Sequence, residues 1–183
     1  GLRRVLGLYL NVSAAEVRFG YGEHGKPVAA DDPGLDFNMT HSGDTALVAV
    51  TRGAELGVDL EETSRDRPFD RLGRRYFTAA EHAWLAAREP DETRNAFYRV
   101  WTLKEAYLKA IGTGLKFPTD GFELDLELTP ASLRATRYPG DRPESWFFAE
   151  PEMAGAFVAA ICCAGGPRSI RRREASELPP PRA

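Results

Sequence analysis

The chain has 183 residues, a formal net charge of −3, 43% hydrophobic residues and 28% charged residues. That length fits one domain or two small halves around a real core. The acidic balance argues against a dedicated nucleic-acid binder, which is normally basic, and no apolar run approaches the ~20 residues a membrane span needs.

In chain order, Leu2 to Leu10 places apolar residues at 2, 5, 6, 9 and 10, a helical stripe. The opening Gly1-Leu2-Arg3-Arg4 is too short and mixed for a secretory signal. Val17-Arg18-Phe19 reads as a short strand, and Tyr21 to Pro27 and Asp31 to Gly34 read as turns. Phe37, Met39 and His41 alternate with Asn38 and Thr40, the pattern of a strand, and Ser42-Gly43-Asp44 turns the chain. Ala46 to Val50 and Leu56 to Glu61 are expected to pair as a hairpin through Arg52-Gly53-Ala54. Residues 65–75 hold five arginines (Arg65, Arg67, Arg71, Arg74, Arg75) against two aspartates. Thr78-Ala79-Ala80-Glu81 is a capping box and predicts a helix through about Arg88. A second helix should start at Asp91 or Thr93, run through Trp101 and Lys109, and stop at the glycines 112 and 114. Phe122 to Leu128 alternates apolar with acidic residues, and Trp146–Phe148 and Phe157–Cys163 complete a second group of strands. Cys162 and Cys163 are adjacent in an apolar run, so they suit neither a framework disulfide nor a spaced zinc site. A reducing cytoplasm is the simplest reading. From Pro167 the arginine- and proline-rich tail reads as disordered.

Two stretches carry the chemistry. In Gly57-Val58-Asp59-Leu60-Glu61, a strand points Asp59 and Glu61 to one face and Val58 and Leu60 to the other. In Trp101-Thr102-Leu103-Lys104-Glu105-Ala106-Tyr107-Leu108-Lys109, a helix aligns Trp101, Glu105 and Lys109 in one row, with Lys104 one step round. Brought together, three carboxylates about 5 Å apart would repel by ~3 kcal/mol per pair at an effective dielectric of ~20. A hard divalent cation, Mg2+ before zinc, relieves that repulsion and leaves positions for water and phosphate. His41 and Lys26 can add positive charge from neighbouring loops. Taken singly, Asp59-x-Glu61 is usually a solvated strand face, Glu105–Lys109 a surface ion pair, His41 a structural histidine and Lys26-Pro27 a solvated turn.

The order Phe37-Asn38-Met39-Thr40-His41-Ser42-Gly43, Gly57–Glu61, Trp101–Lys109 resembles the signature of 4′-phosphopantetheinyl transferases. The chain looks like the larger, monomeric type that activates peptide and polyketide synthetases. Gly25-Lys26-Pro27 and Gly112-Thr113-Gly114-Leu115 fit the same pattern, and Thr40 stands where serine is commoner. The resemblance covers residues 1–165. It implies transfer of the phosphopantetheine arm of coenzyme A to a serine of an acyl or peptidyl carrier protein, releasing 3′,5′-ADP. Asp59, Glu61 and Glu105 would hold Mg2+ against the diphosphate. Lys26, Thr40 and His41 would contact the nucleotide phosphates, and Lys104 and Lys109 would neutralise the diphosphate, with Lys109 able to protonate the leaving phosphate. Trp101 would pack beneath the site and orient Glu105. Glu105 is the first choice for the base, Glu61 the second and a metal-bound hydroxide the third. The arginines of 65–75 would meet the acidic surface of the carrier, or form a solvated connector.

The implied fold is α+β, a pseudo-dimer of two similar halves, each a small antiparallel sheet packed by helices, with the active site in the cleft between them. The N-terminal half is expected at 1–56, shortened relative to the family, the second half at 57–165, and the tail at 166–183. A cytoplasmic monomer follows, with neither nucleic acid nor membrane as partner. The alternative is a catalytically weak coenzyme A- and carrier-binding module. A nucleotide hydrolase is disfavoured because the chain has no Gly-rich P-loop.

Overall fold

A computed structural model describes residues 1–64, 66–166 and 169–179. The elements are α1 (Leu2–Leu10), β1 (Phe19–Tyr21), β2 (Pro27–Ala29), β3 (Leu35–Ser42), β4 (Thr45–Arg52), β5 (Leu56–Glu62), α2 (Phe69–Tyr76), α3 (Ala79–Ala86), α4 (Thr93–Ala110), β6 (Phe122–Asp125), β7 (Ser132–Thr136), β8 (Trp146–Ala149) and β9 (Phe157–Ala164). All ladders are antiparallel: β1–β2, β3–β4, β5–β9–β8 and β6–β7. This is an α+β fold.

Two apolar clusters form. Leu6, Val17, Ala29, Leu35 and Phe37 gather under α1. The larger cluster is built around α4 from Phe97, Tyr98, Val100, Leu103 and Tyr107, with Phe122, Leu124, Phe148 and Cys162 packed on them. Each large side chain so buried contributes roughly 1.5–3 kcal/mol. From 96 to 110, α4 is buried almost all round, and the row 101, 105, 109 stays half-exposed.

β4 does not form the expected hairpin with β5. The β3–β4 hairpin turns at Gly43-Asp44, with Gly43 at φ 55°, and β5 takes β9 as its ladder partner, from Leu56↔Cys163 to Glu62↔Phe157. The other edge of β5 is closed by side chains of β3. The Asp36 carboxylate accepts the Leu56 N–H at 2.8 Å, Asn38 Oδ1 the Val58 N–H at 3.0 Å and Ser42 Oγ the Glu62 N–H at 2.9 Å. The partners advance together along both strands, so β3 and β5 run parallel. Polar side chains thus replace a backbone ladder and satisfy donors that would otherwise be orphaned.

Two further expectations change. Tyr21 and Pro27, the ends of the expected loop, pair with each other, and Pro27 opens the short strand Pro27–Ala29 on β1. Residues 169–179, expected to be disordered, run along the surface. Arg172 donates to the Glu152 carbonyl at 2.7 Å and Arg4 donates to the Leu178 carbonyl at 3.0 Å. Arg65 and the tail positions 167–168 and 180–183 lie outside the described residues.

Candidate active site

Gly57 decides how closely the two chemical stretches approach. A Cβ built there would stand 2.0 Å from the Ala106 carbonyl oxygen and 2.5 Å from the Ala110 nitrogen. The backbone of α4 therefore lies directly on β5 at this point. Asp59 and Glu61 share the Gly57 face by strand alternation, so they look toward α4, where Glu105 and Lys109 stand one turn apart. Val58 and Leu60 are buried on the opposite face, as expected.

Asp59 is 5% exposed. Its Oδ1 accepts from Lys109 Nζ at 2.6 Å and from Thr40 Oγ1 at 3.2 Å. Lys109 also donates to the Val58 carbonyl at 3.2 Å. Asp59 Oδ2 is fully buried and has no hydrogen-bond partner among the described residues. Burial raises the Asp59 pKa against the opposing charge of Lys109. Glu105 is pushed up to about 6, first by burial and then by the Asp59 and Glu61 charges, with Lys109 opposing. The site holds more negative charge than one lysine balances.

The donor set fits a hard cation. A buried carboxylate oxygen with no partner among the described residues, on a group whose charge raises Glu105 as that of Glu61 does, is the kind of hard oxygen donor such a cation takes. Among the described residues, no three His, Cys, Asp or Glu side chains form a ready-made metal cage. Mg2+ does not require one, since it keeps several waters and takes one or two carboxylates plus phosphate oxygens.

The structure pairs Asp59 with Lys109, sets Glu105 within electrostatic reach of both and of Glu61, and leaves Lys104 out. One residue along a helix is a rotation of about 100°, which turns Lys104 into the core at 1% exposure. Its Nζ meets Glu81 Oε2 at 2.8 Å and donates to the carbonyls of Thr119 at 2.7 Å and Phe122 at 3.0 Å. All three ammonium donors are spent. Burial lowers the Lys104 pKa, and Glu81 opposes that. Glu81 in turn completes the Thr78 capping box and accepts the Leu124 N–H at 2.9 Å. The expectation that Lys104 neutralises the diphosphate is corrected: it ties α4 to α3 and β6.

Lys26 is likewise engaged, with Asp36 at 3.0 Å and the Leu56 carbonyl at 2.9 Å. Thr40 faces Asp59, while His41, on the alternate face of β3, is exposed. Trp101 stacks on Phe97 at 6.2 Å and meets Tyr76 edge-on at 5.5 Å, so it braces the row that carries Glu105. Sequence reading missed Asp36, Ser42, Glu81 and the steric role of Gly57. The available signal was the polar set 36, 38, 40, 42 on one strand face, which reads as solvated until a neighbour covers it.

Residues 55–162 match the family described as ACPS, the 4′-phosphopantetheinyl transferase superfamily. The chain belongs to this superfamily. It is similar to the 4′-phosphopantetheinyl transferase HetI of Nostoc sp., 34% identical over 167 residues that cover 90% of this chain and 68% of the relative. It is also similar to the 4′-phosphopantetheinyl transferase Sfp of Bacillus subtilis, 32% identical over 126 residues, 68% of this chain and 54% of Sfp. The chain thus spans between about half and two thirds of these relatives' length. Among solved structures, a holo-(acyl-carrier-protein) synthase from Bacillus anthracis in complex with CoA (3′,5′-ADP) matches with a TM-score of 0.50 and 19% identity. The match covers 62% of this chain and 96% of the synthase, and it shows that the transferase fold is shared.

Proposed function

We propose that this superfamily member transfers the 4′-phosphopantetheine arm of coenzyme A to a serine of an acyl or peptidyl carrier protein and releases 3′,5′-ADP. The observation that carries the reading is the buried Asp59, whose Oδ1 meets Lys109, whose Oδ2 has no hydrogen-bond partner among the described residues, and whose charge, with that of Glu61, raises Glu105. Asp59, Glu61 and Glu105 are the residues that would hold Mg2+. When bound, Mg2+ neutralises charge on the diphosphate and on the group that leaves.

The chain's own residues do the rest. Glu105, or Glu61 in second place, takes the proton from the carrier serine hydroxyl. The serine oxygen then bonds to the β-phosphorus of coenzyme A, and the bond from that phosphorus to the oxygen bridging to the α-phosphate breaks. The electron pair stays on that oxygen, the new terminal phosphate oxygen of 3′,5′-ADP, where Lys109 hydrogen-bonds it or gives it a proton. Thr40 holds Asp59 in place, and the exposed His41 is left for the nucleotide phosphates. Positioning and charge neutralisation supply most of the acceleration.

The carrier would meet α2. Arg71, Arg74 and Arg75 are exposed there, with Arg67 just before it. The Arg75 guanidinium lies 5.1 Å from the Tyr76 ring centre, and Tyr76 abuts Trp101 of the Glu105 row. The two apolar clusters either side of the β3–β5 seam support a division near residue 56 and a pseudo-dimer that works as a monomer. Adjacent in the chain and both buried, Cys162 and Cys163 suit a reducing cytoplasm.

Incubation with coenzyme A, Mg2+ and an apo-carrier, followed by intact-mass spectrometry, tests the reading. A mass gain of one phosphopantetheine supports it. Carrier binding without mass gain would make the chain a binding module instead.

A further inference from the structure

Lys26 and Asp36 are charged residues at the seam that the proposed transfer does not use. Lys26 Nζ donates to Asp36 Oδ2 at 3.0 Å, to the Leu56 carbonyl at 2.9 Å and to the Ala110 carbonyl at 3.4 Å. An ammonium has three donors, so these three partners account for all of them. They lie on three different elements, β3, β5 and the C-terminal end of α4. Asp36 Oδ2 also accepts the Leu56 N–H at 2.8 Å. The two side chains are only 16% and 20% exposed. The Ala110 carbonyl closes the last turn of an 18-residue helix, where a cation meets the negative end of the helix dipole. The stem of Lys26 passes 3.7 Å from where a Cβ on Gly112 would stand.

The surroundings are acidic. Burial raises the Glu55 carboxyl, the Lys26 charge pulls it back, and Asp141 and Asp36 push it further up. A phosphate brought to Lys26 would face Asp36, lie within reach of the Glu55 charge and have to displace two carbonyls.

We propose that Lys26 and Asp36 form a positioning pin: it locks the end of α4 and the start of β5 onto β3, and Lys26 is not a ligand of the nucleotide phosphates. Lys109 precedes Ala110 and Gly57 follows Leu56, so a slip at the pin passes directly to the contact between Lys109 and Asp59. The kinetic consequence rests on the transferase reading; the structural one does not.

Two variants test it. Asp36→Asn keeps an oxygen for the Leu56 N–H and removes only the charge opposite Lys26. Lys26→Met removes all three ties. Each should lower kcat by about tenfold or more, with KM for coenzyme A and Kd for 3′,5′-ADP within about twofold of the parent. By native-state hydrogen exchange, the amides of Tyr107 to Ile111 should lose protection in both variants, more in Lys26→Met, and the double variant should lose no more than Lys26→Met alone. Weakened 3′,5′-ADP binding in Lys26→Met that Asp36→Asn does not share overturns the pin, and so does unchanged amide protection. A parent protein that makes no holo-carrier, with protection lost in both variants, sinks the transferase reading and leaves the pin standing.

Discussion

Glu105 is the residue on which chemistry and stability meet. Its pKa of about 6 lies above the ordinary 4.5, so the folded protein binds the extra proton. The stability linked to this group is complete below pH 4.5 and lost as the pH rises through 6. Glu105→Gln should therefore raise the Tm of the metal-free protein near pH 8, by up to ~2 kcal/mol in stability and nearer ~1 after solvent screening. The gain should shrink as the pH falls toward 4.5. Thermal melts of parent and variant across that range check it, and an equal Tm at every pH contradicts the buried-carboxylate account. Mg2+ should reverse the order, because a ligand of the folded state stabilises the parent more than a variant lacking one donor.

The element scale is set by β5 and α4. Gly57→Ala drives a methyl into the α4 backbone at Ala106 and should cost ~3 kcal/mol or more. Urea unfolding measures this, and a loss well under 1 kcal/mol would mean that helix and strand do not touch there. On α2, reversing the charges of Arg71 and Arg74 should raise KM for the carrier and leave that for coenzyme A unchanged. A change confined to coenzyme A removes α2 from the carrier site. Much of the β5–α4 geometry was legible in the chain. Period-two alternation aimed Asp59 and Glu61, period-four spacing aimed Glu105 and Lys109, and the capping box started α3 at its expected residue. Lys104 was not legible in this way, because its partner Glu81 comes from another helix and only packing decides which flank of α4 is covered.

At the scale of the molecule, the seam between β3 and β5 is the least legible feature and the one on which the site depends. Asn38 lies 7% exposed on a strand whose polar face looks solvated in the sequence, and its partner is a backbone N–H twenty residues on. Asn38→Ala strands the Val58 N–H and should cost ~1–3 kcal/mol. Equilibrium denaturation gives the value, and a neutral result would show that water or a shift of β3 replaces the bond. The β4–β5 hairpin failed for the same physical reason. Both edges of β5 are claimed from afar, one by β9 and one by β3 side chains, and neither claim leaves a local mark.

The most direct measurement is time-resolved intact-mass spectrometry of an apo-carrier with coenzyme A and Mg2+, run with the parent and with Glu105→Gln under conditions where both are folded by circular dichroism. The account predicts complete conversion by the parent and a rate about 10²–10⁴-fold lower for the variant, as expected when a general base is lost. Conversion by the variant at the parent's rate would contradict it.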